Sequence, residues 1–198
     1  MQRTTIKSPH TQRAFTLIEV IVVFSTLAFT LPIVTLILFM IIRQQISVSR
    51  MTESKRQGDR AVTYIQNVLS SEVAGMYDSS GNEVCASDVG IQKSVSYFED
   101  SSGNTITFAV IAGALTITRT VSGIGNIEPI TNASRVIIEN VNNPPDSYPF
   151  TIECIRKTSY ANPVVGASFA VVPVGNFSTD ELAAMRLHFS TLVIVHNK

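Results

Sequence analysis

The feature that most constrains this chain is a run of 23 residues, from Val20 to Ile42, without a single charge. As a helix that run is about 35 Å long, enough to cross the hydrocarbon core of a bilayer. The residues before it include Arg3, Lys7 and Arg13, and there is no acid until Glu19. A secretory signal places its small-residue cleavage site after the apolar stretch. No A-x-A pattern follows Ile42, where the chain continues as Arg43-Gln44-Gln45. The apolar segment is therefore expected to stay on the protein.

Glu19 is the anomaly. A carboxylate in an apolar segment costs about 2.5–3.5 kcal/mol at a helix centre and less near its end. No Lys or Arg lies between Phe15 and Ile42 to pair with it. A partner must come from elsewhere, and another molecule is one source.

The segment Arg13-Ala14-Phe15-Thr16-Leu17-Ile18-Glu19-Val20 and the apolar run behind it resemble the N-terminus of type IV pilins and type II secretion pseudopilins. The resemblance implies that a prepilin peptidase cuts between Ala14 and Phe15 on the cytoplasmic face. It also implies N-methylation of the new Phe15 amine and an assembly role for Glu19. Ala14 stands where the family usually has Gly. The chemistry is coherent. An α-amine with a pKa of about 8 carries a positive charge that methylation retains. In a filament that charge can meet the Glu19 of a neighbouring subunit, in a low dielectric that strengthens the pair.

Pro32, inside the apolar run, is expected to kink or locally unwind the helix. Bases flank the run on both sides, with Arg43, Arg50, Lys55, Arg56 and Arg60 following it. Charge alone does not place the N-terminus in the cytoplasm; the cleavage motif does. Those later bases could touch lipid head groups or DNA, but a solvated helix face is the reading favoured, and no nucleic-acid contact is inferred. Acids and bases balance at 15 each over the 198 residues.

Beyond the apolar run, Ala61, Val62, Ile65, Val68 and Leu69 form one stripe at helical period. The helix is expected to continue amphipathically to about Gly75, with Gly58 loosening its middle. Asp78-Ser79-Ser80-Gly81-Asn82 recurs as Asp100-Ser101-Ser102-Gly103-Asn104. Both copies read as hairpin turns. Their dense oxygens suggest calcium, but two such pentapeptides do not make a full ligand set, so no metal is expected. Strands are expected from Thr105 to Val110 and Ala114 to Thr120 around Gly113, then Arg135 to Val141, Phe150 to Ile155, and Met185 to His196. Asn142 to Pro149 reads as a loop, Gly123-Ile124-Gly125 as a turn, and Asp180 to Ala184 as a short helical turn. Cys85 and Cys154 lack metal-ligand spacing. In an exported domain they either pair, closing a loop of about 70 residues, or remain two buried thiols.

This pattern predicts an α+β protein with a long N-terminal helix packed on an antiparallel β domain. Its divisions are residues 1–14 as leader, 15–42 as membrane and filament-core helix, 43–75 as amphipathic continuation, and 76–198 as a β-rich domain outside the cytoplasm. The hairpin followed by Glu128-Pro129-Ile130 and an apolar strand at Val136 is similar to the J-type minor pseudopilins and W-type minor pilins, which have the pilin helix and a more elaborate β domain.

No nucleophile, phosphate-binding or metalloprotease motif occurs. His10, His188 and His196 lack partners at ligand spacing, so neither catalysis nor a cofactor is expected. The resulting expectation is a minor pilin or pseudopilin held in the cytoplasmic membrane before assembly. Its partners are sister subunits, the peptidase, the inner-membrane assembly platform and lipid. The alternative is a single-pass anchored β domain that binds a surface ligand and never enters a filament.

Overall fold

The computed structural model describes residues 16–86, 89–139, 150–175, 177 and 179–195. The chain is α+β: a helix α1 (Leu17–Ser71) precedes two antiparallel sheets. It divides into two compact units, one ending at Ser47 and one beginning at Val48, and α1 contributes residues to both.

In the first unit, helical structure is unbroken through Pro32, so the local unwinding expected there does not occur. Proline removes one amide from the ladder.

In the second unit, the stripe on α1 meets the sheets. Ala61, Ile65, Val68 and Leu69 are buried in a cluster with Phe98, Ile106, Leu115, Ile117, Val136, Val165 and Phe169. Gly58 does not loosen the helix. It is buried against the ring of Phe189, and a Cβ there would lie 2.1 Å from the ring's Cζ.

The helix ends at Ser71, short of the Gly75 limit that periodicity suggested. Residues Val73–Tyr77 form strand β1 instead, with Val73 and Met76 buried. The first sheet runs β1, β3 (Tyr97–Asp100), β4 (Thr105–Ile111), β5 (Ala114–Val121), β6 (Ile124–Pro129), each antiparallel to its neighbour. Its last two hairpins turn on Ala112-Gly113 and Ser122-Gly123, each with two positive φ values (51° and 82°; 52° and 83°). That is the type I′ geometry whose twist matches paired strands. The turn therefore falls on Ser122-Gly123, and Ile124-Gly125 already belong to β6.

The two pentapeptides fold alike. In each, the Asp carboxylate accepts from the main-chain N–H two residues on (Ser80, Ser102; both 2.8 Å) and four residues on (Asn82, Asn104; both 2.9 Å). The Asn side chain donates back to the same carboxylate at 3.2 and 2.9 Å. Gly81 and Gly103 sit at φ near +80°, where Cβ-bearing residues are strained. The second copy joins β3 to β4. The first links β1 to a short return limb, where Val84 N–H donates to Met76 O at 2.8 Å.

The second sheet is ordered β10 (Leu187–Ile194), β9 (Val164–Pro173), β8 (Phe150–Ile155), β2 (Lys93–Ser94). Strand β7 (Val136–Glu139) pairs with β9 just beyond the end of β8. The central strand β9 was not among the expected strands. A short helix α2 (Thr179–Met185) leads into β10. The loop read at Asn142 to Pro149 lies outside the described residues.

Cys85 and Cys154 form a disulfide with their Cα atoms 6.3 Å apart. It ties the segment after β1 to β8. Beside it, Arg156 donates to the carbonyls of Ala161 and Ser159, both at 2.8 Å, and to that of Ala86. Phe98, Phe108, Phe150, Phe169 and Phe189 follow one another at ring spacings of 5.6–6.2 Å, an aromatic file through the core and under the helix. Such pairs add about 0.5–1.5 kcal/mol each beyond their buried area.

Candidate functional site

The sequence reading expects the functional load at the start of α1. Thr16 precedes the first helical residue and Glu19 stands three later. The Glu19 N–H donates to the Thr16 carbonyl at 3.0 Å. This T-x-x-E spacing is that of a capping box. Glu19 thus lies in the first turn, where the helix dipole favours a negative charge by about 0.3–1 kcal/mol. Its side chain is exposed and makes no hydrogen bond or ion pair among the described residues. Ala14 and Phe15, the expected cleavage and methylation positions, lie outside those residues.

From Leu17 to Ile46 every residue of α1 is exposed. The most apolar 18-residue window has a mean hydropathy of 2.5 with none of it buried, so the helix is long and apolar enough to cross a membrane. Leu17, Phe24 and Phe29 are each more than two-thirds exposed. A soluble fold rarely leaves such a contiguous apolar surface uncovered.

The polar residues in this stretch are dealt with locally. Ser25, Thr26, Thr30 and Thr35 each donate a hydroxyl to the carbonyl four residues back, at 2.6, 3.1, 3.0 and 2.8 Å. These bonds remove the cost of placing hydroxyls in an apolar medium. Glu19 has no such outlet. At the far end, the Arg43 guanidinium sits 4.8 Å from the Phe39 ring centre, a cation–π contact.

Within the second unit, two ionic hubs fasten the helix to the sheets, and sequence reasoning did not anticipate either. Arg119 on β5 donates to Glu72 at 3.1 Å and to the Tyr64 hydroxyl at 3.1 Å, with Glu128 of β6 at 3.7 Å. Glu53 accepts from Arg56 (2.9 Å), Gln57 (2.9 Å) and Arg135 (3.3 Å). The bond from Arg56, then that from Gln57, holds the Glu53 carboxyl at about 2. The Gln57 side-chain oxygen in turn accepts the Asn132 N–H at 3.4 Å. Arg50 lies over the Phe177 ring at 5.0 Å. Of the five bases read as a solvated face, Arg43, Arg50 and Arg56 thus have partners within the fold.

Among the described residues, no three His, Cys, Asp or Glu side chains gather as a metal-binding group. Comparison with protein families, with curated proteins and with solved structures found no match to this chain.

Proposed function

We propose that this chain is a minor pilin or pseudopilin: a structural subunit trimmed between Ala14 and Phe15, methylated at Phe15, and assembled into a filament through α1. One observation carries the reading. An unbroken helix begins with about thirty residues that bury nothing in the fold, and its first turn holds a carboxylate, Glu19, with no partner among the described residues. Lateral packing of such helices covers the apolar surface. The charged Phe15 amine of a neighbour supplies the missing counter-ion, strong in a dry interface.

The Cys85–Cys154 disulfide supports placing the β domain outside the cytoplasm, because such bonds persist in oxidising compartments. It favours that sidedness where the charge flanks of the apolar run point neither way. In this account the precursor spans the cytoplasmic membrane once, is cut on the inner face, and is extracted by an assembly platform. A β domain of two sheets accords with the J-type and W-type minor subunits.

Mass spectrometry of the working protein tests the reading. A methylated N-terminus at Phe15 is expected. An intact Met1 in assembled or functional material refutes it and favours the anchored β-domain binder.

A further inference from the structure

The two sheets end in edges that differ in kind. Strand β1 is partly covered on its free side, since Met76 O accepts from the Val84 N–H and, just past the strand, the Asp78 N–H donates to Asn82 O. Strand β2 has two residues. Strand β7 is engaged by Gly113, whose carbonyl accepts the Ile138 N–H at 2.9 Å. On β6, the bond from Ile130 N–H to Leu115 O and the register Thr116↔Pro129 fix which residues face β5. By alternation Gly125, Ile127 and Pro129 face outward. Proline offers no N–H, and Glu128 adds a charge beside it. These devices blunt an edge against strand addition.

Strand β10 has none of them. Its eight residues, Leu-His-Phe-Ser-Thr-Leu-Val-Ile, include no Pro, Lys, Arg, Asp or Glu. The Val195 N–H donates to Pro163 O at 3.0 Å, and the register with β9 is uninterrupted from Leu187↔Val171 to Ile194↔Val164. The odd-numbered residues therefore bond to β9, while His188, Ser190, Leu192 and Ile194 turn their N–H and C=O groups outward. Among the described residues these outward groups make no hydrogen bond. The same four residues have exposed side chains, Leu192 at 76% and Ile194 at 56%. Inward-facing Thr191 accepts from the Gln66 side chain of α1 at 2.6 Å, and the Phe189 ring packs on Gly58.

We propose that β10 is an interaction edge at which a second copy of this chain pairs strand to strand, antiparallel and centred on Thr191. An alternating row of free amides and carbonyls is satisfied by another extended strand with an open edge of its own. The described residues offer one of sufficient length without proline, which is β10 itself. In this register His188 faces Ile194 of the second copy and Ser190 faces its Leu192. Each such pair exchanges two main-chain bonds, about eight in all. No Lys, Arg, Asp or Glu meets its own image across the twofold axis, because the strand has none. The two Leu192 side chains become diagonal neighbours on the outer face and cover each other. The filament reading is not required for this pairing.

The test uses the full chain in detergent micelles, by sedimentation and by residue-resolved hydrogen exchange at low and high protein concentration. The expected result is a monomer–dimer equilibrium. Exchange at the amides of His188, Ser190, Leu192 and Ile194 slows about tenfold as the dimer forms. Leu192→Lys, at an exposed side chain, should abolish both effects with unchanged thermal unfolding. Ser190→Pro, which removes an outward donor and leaves the β9 ladder intact, should do the same. Ile127→Lys on β6 should leave both effects in place. A wild-type chain that stays monomeric, or a dimer that survives Leu192→Lys, overturns the proposal.

Discussion

Gly58→Ala sets two known effects against each other. In a helix interior, alanine is favoured over glycine by about 1 kcal/mol. Here the new Cβ would lie 2.1, 2.3 and 2.6 Å from three atoms of the Phe189 ring. Ordinary contact needs about 3.5–4.0 Å, so the ring must move by more than 1 Å. It cannot do so freely, since it is stacked on fully buried Phe169 at 5.6 Å and 15°. Overpacking of this kind costs about 1–3 kcal/mol, and the size of the overlap puts it at the upper end. The net expectation is a loss of about 1–2 kcal/mol, or about 2–8 °C in melting temperature for a chain of this size. Thermal unfolding followed by near-ultraviolet circular dichroism measures it. The sign should reverse when the ring is gone. In a Phe189→Ala background, itself about 2–3 kcal/mol less stable because the ring is half-buried, the same Gly58→Ala change should stabilise by up to about 1 kcal/mol. If Gly58→Ala raises the melting temperature of the otherwise unaltered chain, helix propensity is the larger effect and the close packing of α1 on β10 is refuted.

Replacing Cys85 and Cys154 by serine, or reducing them, should cost about 2–4 kcal/mol, since the bridge spans a sequence separation of 69; denaturant titration with and without reductant reads it. Glu53, held at about 2, stabilises the fold above its unfolded value near 4.5, and that contribution is lost as the pH falls toward 2. Asp78 and Asp100 are lowered in the same direction, by the Asn82 main-chain N–H and the Asn104 side chain foremost, so the melting temperature should fall across that window. Glu53→Gln should flatten the fall. Gly103→Ala, at φ +80°, should destabilise by about 1 kcal/mol through left-handed backbone strain, measurable by thermal unfolding.

The helix, the two pentapeptide turns, the β4–β5 hairpin and β8 were legible because each carries its own local signal. Strand β8 alternates, and the turns carry Asp, Gly and Asn where turn geometry wants them. The end of α1 was misread for a specific reason. Ile65, Leu69, Val73 and Met76 continue at helical spacing, so the buried residues of β1 mimic another turn of helix. Only pairing with β3, a long-range event, decides otherwise. Strand β9 was hidden in the opposite way. From Phe169 to Pro173 all five residues are buried, so alternation vanishes, while Gly166 and Ala167 lower the local β propensity. Strand β6 is exposed throughout and shows no pattern. The Arg119 and Glu53 hubs join residues 47 and 82 positions apart, beyond the reach of any local motif. Glu19 stood out in the sequence because its surroundings are apolar, and the helix places it exposed in its first turn.

That isolation also separates the two functional readings, because Glu19→Ala should lower one measurement and spare the other. In the first turn the carboxylate's cost in lipid lies below the about 2.5–3.5 kcal/mol of a helix centre. The helix dipole returns about 0.3–1 kcal/mol of it, and no side chain among the described residues supplies more. Removing the charge should therefore leave membrane insertion unchanged or slightly easier, measured by carbonate extraction and a glycosylation-type insertion reporter. If the Phe15 amine of a neighbouring subunit is the partner, the same change deprives a buried cation of its counter-ion. Breaking such a pair costs about 3–5 kcal/mol, a drop of two orders of magnitude or more in incorporation. Filament pull-down should then lose the variant while membrane fractions keep it. A variant that inserts and incorporates like the unaltered chain would reduce Glu19 to a cap for its own helix, the role its spacing from Thr16 already allows.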